Sequence, residues 1–154
     1  MYYSTNYESP LGELLILSDG EAICEVSFTG GSDDYIVSDG LPIFTKVKEW
    51  FDDYFNGLNP EIDFKLKPEG TEFRLKVWKI LCEIPYGETV TYGEIASRIS
   101  DNMAAQAVGG AVGANPIAIL IPCHRVLGKN GKLTGYSAGL DKKIELLKIE
   151  NILK

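Results

Sequence analysis

The chain has 154 residues, of which 45% are hydrophobic, enough to bury a core without disulfides or a structural metal. Its formal net charge of -7 argues against nucleic acid binding by the surface as a whole, because phosphate binding requires positive charge. Residues 1–70 hold 4 Lys and Arg against 14 Asp and Glu, whereas residues 71–154 hold 11 against 8, so only the second half is suited to face DNA.

The N-terminal sequence and the number of cysteines indicate the cellular compartment in which the protein is expected. The chain begins without the basic region and apolar run of a signal peptide, and no apolar stretch is long enough to span a bilayer. We therefore expect a cytoplasmic protein, monomeric in solution and without a membrane partner. The odd number and wide spacing of the cysteines disfavour a disulfide framework, and with His124 as the single histidine we expect no metal site. Cys24 and Cys82 are expected to lie in the core.

β-rich runs alternate with turn signals at the start of the chain. The runs cover residues 1–7, 14–17 and 23–28, which predicts an antiparallel meander. Helical spacing then begins at Phe44 and stops at Asn56-Gly57. This helix is expected to cover one face of the sheet with an apolar stripe that comprises Val47, Trp50, Phe51, Tyr54 and Phe55.

A segment rich in Pro, Lys and Glu, residues 65–70, separates this unit from a second apolar helix. We place a domain boundary there, with an N-terminal sheet-plus-helix domain over 1–68 and a C-terminal domain over 69–154. The second helix presents one face that consists of Phe73, Val77, Ile80, Leu81 and Ile84.

Two short helices follow. Thr91 and Glu94 form a capping box at the start of a helix that runs to about Ser100, with Tyr92 on its first turn. A second helical segment spans about 104–114 after Asp101-Asn102. Such a pair indicates a helix-turn-helix motif, with an ordinary helical hairpin as the alternative.

The second of these helices is unusually rich in glycine and alanine. Its three glycines each cost about 1 kcal/mol relative to alanine, so the backbone must approach a partner closely. The partner is either another helix or a nucleic acid groove. The segment alone favours packing against a helix. If the helix faces DNA, the lack of Arg and Lys and the single long polar side chain, Gln106, suit it to a minor groove and sequence-tolerant binding.

The run Ile117–Val126 delivers Cys123, His124 and Arg125 after a proline. A cysteine at the end of an apolar run is by default a small buried hydrophobe. A neighbouring imidazole and guanidinium favour the thiolate, however, and so a nucleophile.

The segment Pro122-Cys-His-Arg-Val126 resembles the active-site signature of the O6-alkylguanine-DNA alkyltransferases (methylated-DNA–protein-cysteine methyltransferases). The resemblance covers residues 71–154 and implies an α+β protein in two parts. A small N-terminal antiparallel sheet with a helix, ribonuclease-H-like, would precede a mainly helical C-terminal winged helix-turn-helix domain. The further matching motifs are Ile84-Pro-Tyr-Gly-Glu88, Tyr92, Ala107-Val-Gly-Gly110, Asn115-Pro116, Gly135-Tyr-Ser137 and Glu150.

The resemblance also implies roles. Cys123 would accept the alkyl group, His124 would deprotonate it through a water, and Glu150 would orient His124. Asn115 would hold the turn between the recognition helix and an active-site strand. Arg125 would be one of the DNA-binding residues and would support the fold of the site.

The remaining implied residues contact the nucleic acid. Tyr92, Ser137 and the backbone near Cys123 would hydrogen-bond an extruded guanine, and Tyr136 would wall its pocket. The recognition helix would contribute Gln106, Ala107, Gly110 and Gly113, and Ala138 would limit the size of the alkyl group. Without the resemblance, Tyr92 and Tyr136 are ordinary half-buried tyrosines and Glu150 is a solvated residue.

The implied activity is stoichiometric, irreversible transfer of an alkyl group from O6-alkylguanine in duplex DNA to Cys123, with nucleotide flipping and no cofactor. O4-alkylthymine is an open second substrate. A non-catalytic sensor of alkylated DNA and a cysteine hydrolase are the alternatives. Gln106 departs from the family, which usually has an arginine there, so we expect weaker DNA binding or slower flipping.

Overall fold

A computed structural model describes residues 2–28 and 35–154, so Met1, the first residue of the first predicted strand, lies outside the described residues. Two compact units form. The first comprises Met1–Glu69 with Pro116–Ala118, and the second comprises Gly70–Asn115 with Ile119–Lys154. The domain boundary after residue 68 stays a prediction, since a domain must also fold on its own.

The first unit contains a mixed sheet of order β4-β1-β2-β3-β5. The predicted meander forms its antiparallel centre, and two short edge strands add parallel pairs, β4 to β1 and β5 to β3. The last of these strands consists of the first two residues of the segment expected to be a linker. The strands are β1 (Tyr3–Ser9), β2 (Gly12–Ser18), β3 (Ala22–Ser27), β4 (Ile36–Val37) and β5 (Lys65–Leu66).

The helix of this unit, α1 (Pro42–Phe55), carries the predicted apolar stripe. Pro42 begins it, where a missing amide hydrogen costs nothing, and Gly57 ends it with φ of 83°. The stripe packs against β1, where the ring of Tyr7 lies 5.3 Å from that of Phe51 and the Tyr7 hydroxyl donates to Asp52. The helix therefore covers the sheet as predicted.

The second unit contains a helix-turn-helix and a small two-stranded parallel sheet, β6 with β7. The helix-turn-helix is α3 followed by α4, with five residues between them. The elements are α2 (Glu72–Leu81), β6 (Val90–Thr91), α3 (Tyr92–Ile99), α4 (Ala105–Gly113), β7 (Val126–Leu127) and α5 (Leu140–Ile149).

Local signals start two of these helices. The Thr71 hydroxyl caps α2 by accepting from the Arg74 amide, and the Thr91 hydroxyl caps α3 by accepting from the Glu94 amide. Trp78, on α2, is 2% exposed and its indole Nε1 donates to the Ala111 carbonyl over 2.8 Å. This bond fixes α4 against α2.

The expectation that Cys24 and Cys82 are core residues is wrong. Cys24 is half-buried and Cys82 is exposed at the C-terminus of α2. Alternation on a strand and position on a helix decide exposure, and neither can be read from cysteine's average burial. Among the described residues, no helix combines the length and the apolar character needed to cross a membrane.

Candidate active site

Cys123 lies where the chain turns sharply. Pro122, with φ of -80° and ψ of 62°, forms the centre of an inverse γ-turn that the Cys123 amide closes by donating to the Ile121 carbonyl over 2.8 Å. The proline ring holds φ near this value, so the sequence itself presets the turn. A 3₁₀ turn, Cys123–Arg125, follows and leads into β7.

The apolar run before this turn is not the expected active-site strand. Ile117 makes one isolated parallel bridge with Val26, and residues 118–120 form turns. Ile119 has φ of 71°, a left-handed conformation that a strand cannot contain and a β-branched residue rarely adopts. The run is apolar because Ile117 and Ile119 are buried, not because it extends.

Asn115 fastens this turn to the end of α4. Its side-chain amide Nδ2 donates to the Ile121 carbonyl over 2.9 Å, the same oxygen that accepts from the Cys123 amide. Asn115 also hydrogen-bonds toward the Cys123 side chain. Asn115 thus contacts both the Ile121 carbonyl, which closes the turn, and the sulfur of Cys123.

A buried polar network backs the cysteine. His124 Nε2 lies 2.5 Å from Glu150 Oε2, and Arg125 Nε donates to Glu150 Oε1 over 2.8 Å. The Gly87 amide donates to the same Oε1, and Arg125 also donates to the Ile84 carbonyl over 2.7 Å. His124 and Glu150 side chains are fully buried, so Glu150 is not a solvated residue. Arg125, 8% exposed, is a support inside the network rather than a surface contact.

Burial and neighbours set the protonation of this network. Burial lowers the pKa of His124, although Glu150 acts in the opposite direction. Because Arg125 already balances the Glu150 charge, we take the imidazole as neutral. A neutral ring that donates from Nε2 to Glu150 keeps its lone pair on Nδ1, and can therefore accept a proton.

The thiol is held protonated at rest. Burial raises the pKa of Cys123, while Asn115, Tyr136 and Lys143 favour the thiolate and offset part of that effect. The guanidinium of the adjacent Arg125 is hydrogen-bonded to Glu150 and to the Ile84 carbonyl. A base must therefore remove the proton before Cys123 can react.

A cavity of about 390 Å³ opens beside Cys123. It is large enough for a small planar ligand, and a side chain that is only 5% exposed reaches it. The residues that line it come from α3, α4, the 3₁₀ turn and the loop before α5, and they are Tyr92, Gly109, Val112, Gly113, Cys123, Thr134, Gly135, Tyr136 and Ser137.

The two tyrosines are half-buried and both line this cavity. The Tyr92 hydroxyl accepts from Thr134 Oγ1 over 3.3 Å, and the Tyr136 hydroxyl faces the thiol. Burial, reinforced by Cys123, raises the pKa of Tyr136 well above its ordinary value, so this hydroxyl stays a donor. Ser137 is exposed at the rim, and Ala138 lies half-buried beside it.

The predicted contacts on α4 share its exposed face. Gln106, Ala107, Gly110 and Gly113 are all exposed, and their spacing of four, three and seven residues keeps Gln106, Gly110 and Gly113 on one side. A second cavity of about 570 Å³, lined by Gln106 and Lys129 among others, adjoins the first through Tyr92 and Gly109. No side chain obstructs the backbone at Gly110 and Gly113, where an added Cβ would meet open space.

Thr134 and Lys143 belong to the site although no sequence motif named them. Thr134 lines the cavity and bonds to Tyr92, and Lys143 lies fully buried behind the same loop. A signal for Lys143 was present: Lys143, Leu146, Leu147 and Glu150 follow the i, i+3, i+4, i+7 spacing of one helix face.

Family comparisons cover nearly the whole chain. Residues 1–68 match the ribonuclease-like domain of 6-O-methylguanine DNA methyltransferase, and residues 72–152 match the DNA binding domain of 6-O-methylguanine DNA methyltransferase.

Individual proteins similar to this chain belong to the same family. A methylated-DNA–protein-cysteine methyltransferase of Haemophilus influenzae is 50% identical over 97% of this chain and 87% of the relative. One of Methanosarcina acetivorans is 49% identical over 97% and 98%. The crystal structure of Mycobacterium tuberculosis OGT in complex with DNA superposes with a TM-score of 0.89 at 41% identity, covering 96% of this chain and 92% of the other.

Proposed function

Because the chain belongs to the 6-O-methylguanine DNA methyltransferase family, we propose that it repairs alkylated DNA by moving the alkyl group of O6-alkylguanine onto Cys123. The observation that carries this proposal is the cavity of about 390 Å³ where Cys123 meets two tyrosines and a serine. Behind it, a buried histidine is fixed by a carboxylate.

The chemistry begins with proton removal. The Cys123 thiol loses its proton through a water to Nδ1 of His124, whose orientation Glu150 fixes from the other ring nitrogen. Hydrogen bonds from Asn115 and Tyr136 then stabilise the thiolate. Burial of the base network explains why a neutral imidazole is available for this step.

Alkyl transfer is a displacement at carbon. The thiolate sulfur forms a bond to the alkyl carbon as the bond from that carbon to O6 of guanine breaks, and the bond electrons pass to the base. Donors from Tyr92 and Ser137 stabilise the charge that develops on the guanine, which leaves neutral after it takes up a proton from water, while His124 returns the thiol proton to the solvent. The resulting thioether on Cys123 is not hydrolysed, so each molecule reacts once.

The target must leave the helix stack to reach Cys123. Flipping costs a few kcal/mol in lost stacking and pairing, and DNA contacts must repay it. The exposed face of α4 suits the minor groove, since Gly110 and Gly113 allow the backbone to approach closely. Gln106 is the α4 side chain that would fill the space left in the duplex.

A sensor that binds the lesion without transfer is the weaker alternative, because an acceptor cysteine lines the cavity. A hydrolase using Cys123 and His124 would turn over repeatedly. O4-alkylthymine as a second substrate, the cytoplasmic location and the monomeric state remain proposals.

The test uses duplex DNA that contains one O6-methylguanine, with the protein varied from deficit to excess. We expect unmodified guanine to appear in amounts equal to the protein added, with no further turnover. Binding without any restored guanine would establish the sensor, and restoration beyond one equivalent would rule out self-inactivating transfer.

A further inference from the structure

Lys143 is the most deeply buried lysine or arginine among the described residues, with 1% exposed. Its ammonium forms no ion pair with a carboxylate in the described part of the chain. A buried charge without a counter-ion is costly unless hydrogen bonds satisfy it. The ammonium of Lys143 must therefore be satisfied by hydrogen bonds.

Three backbone carbonyls surround the ammonium. Lys143 Nζ donates to Val126 O over 2.7 Å, to Thr134 O over 3.3 Å and to Gly135 O over 3.5 Å. Val126 begins β7 directly after the turn that carries Cys123, whereas Thr134 and Gly135 belong to the loop on the other side of the cavity. One side chain thus ties the two walls together.

The loop has few other anchors. Residues 132–136 form neither helix nor strand, so no ladder of backbone bonds fixes Thr134 and Gly135. The segment nevertheless places the Thr134 hydroxyl on Tyr92 and the Tyr136 hydroxyl toward the thiol. Small shifts of this backbone would move the Tyr136 hydroxyl and break the contact between Thr134 and Tyr92.

We propose that Lys143 is a positioning residue for alkyl transfer: it clamps the loop Thr134–Ser137 at the distance from Cys123 that the reaction needs. The clamp acts through the loop, and Lys143 itself does not touch the base. Its positive charge also favours the Cys123 thiolate, which agrees with a location behind the reacting sulfur. This inference rests on the proposed transfer activity.

The experiment compares two variants. Lys143→Met keeps the length of the side chain but removes its hydrogen-bond donors and its charge, whereas Lys143→Arg keeps the donors and the charge. Lys148→Met is the matched control, because Lys148 lies on the same helix in an exposed pair with Glu145. Each variant reacts in a single turnover with saturating O6-methylguanine duplex, and binding to an undamaged duplex is measured separately. The end point counts folded, active molecules, so the rate constant per active molecule is free of any folding loss.

We expect Lys143→Met to react about 10²-fold more slowly per active molecule, as loosely placed groups do, with unchanged affinity for undamaged DNA. Lys143→Arg should recover part of the rate, and Lys148→Met should match the parent. If Lys143→Met gives no end point, Lys143→Gln is judged by the same criteria.

A rate per active molecule within about threefold of the parent would overturn the clamp, as would an arginine variant slower than the methionine variant. Absence of transfer in the parent protein would instead refute the proposed function, so the two failures are distinguishable.

Discussion

Replacement of Glu150 by glutamine tests how the base is held. The carboxylate is fully buried and accepts from three groups: His124 Nε2 at 2.5 Å, Arg125 Nε at 2.8 Å and the Gly87 amide at 3.1 Å. The substituted side chain would keep the shape but present an NH₂ group to one of these donors and leave the Arg125 charge uncompensated. A broken buried pair of this kind costs about 3–5 kcal/mol in the free energy of unfolding.

Glu150→Gln should also lower the rate of alkyl transfer, because Glu150 orients the His124 imidazole. With a neutral, reorienting amide opposite Nε2, the imidazole no longer keeps its lone pair on Nδ1, so proton removal from Cys123 slows. A general base contributes about 10²- to 10⁴-fold, and we expect Glu150→Gln to lose about 10²-fold in single-turnover rate.

The measurements are single-turnover transfer, scored per active molecule from the end point, and urea denaturation. Glu145→Gln is the matched control, because Glu145 lies on α5 in a half-exposed pair with Lys148 at 3.5 Å and should cost less than about 1 kcal/mol. A Glu150→Gln protein that reacts within about threefold of the parent rate would refute the assigned role of the carboxylate.

Three further predictions follow from the site. Gln106→Arg should speed repair, and the added charge should steepen the slope of log K for DNA binding against log salt concentration by about 0.9. Binding measured over a salt series and single-turnover rates check this, and equal rates and slopes would contradict the assigned role of position 106. Gly110→Ala should raise the free energy of unfolding by about 1 kcal/mol, because alanine favours a helix and the added Cβ meets open space. The same Cβ should weaken DNA binding, because it keeps the α4 backbone away from the groove. An unchanged affinity for DNA would show that α4 does not enter the groove. Burial lowers the pKa of His124, so the stability this group contributes is complete above the ordinary value of 6.5 and is lost as the pH falls below it toward the folded pKa. NMR titration of the single histidine checks this, and a midpoint at or above 6.5 would contradict it.

Elements that depend on local signals were predicted well from the sequence. The stripe of α1, its end at Gly57 and the Thr91 cap of α3 each depend on residues within a few positions of one another. The helix-turn-helix follows from two such local elements. The family signature around Cys123 supplied the candidate chemistry, which periodicity alone does not contain.

Features set by distant contacts could not be predicted in this way. The edge strands β4 and β5 are two residues each and exist only because β1 and β3 offer free edges. The expected strand before Cys123 is replaced by turns, because Ile119 adopts a left-handed conformation that its side chain does not favour. No propensity argument indicates such a conformation for isoleucine.

The burial of individual polar residues could not be predicted from residue type either. Lysine is almost never fully buried, so the composition of α5 gave Lys143 no weight, although its helical spacing placed it on the buried face with Glu150. The prediction that Cys82 lies in the core is wrong for the opposite reason, because cysteine is usually buried but Cys82 lies exposed at the end of α2. In both cases the position on the helix, and not the residue type, decided burial.

Mass analysis of peptides after reaction with O6-methylguanine duplex tests the central claim most directly, because the chain carries two internal controls. Cys82 is the exposed thiol and Cys123 the buried one, so non-specific alkylation would favour Cys82. The predicted result is the added mass of one methylene group on the Cys123 peptide alone, in an amount equal to the guanine restored. A methyl group on Cys82 or Cys24, or restored guanine with an unmodified Cys123, would contradict it.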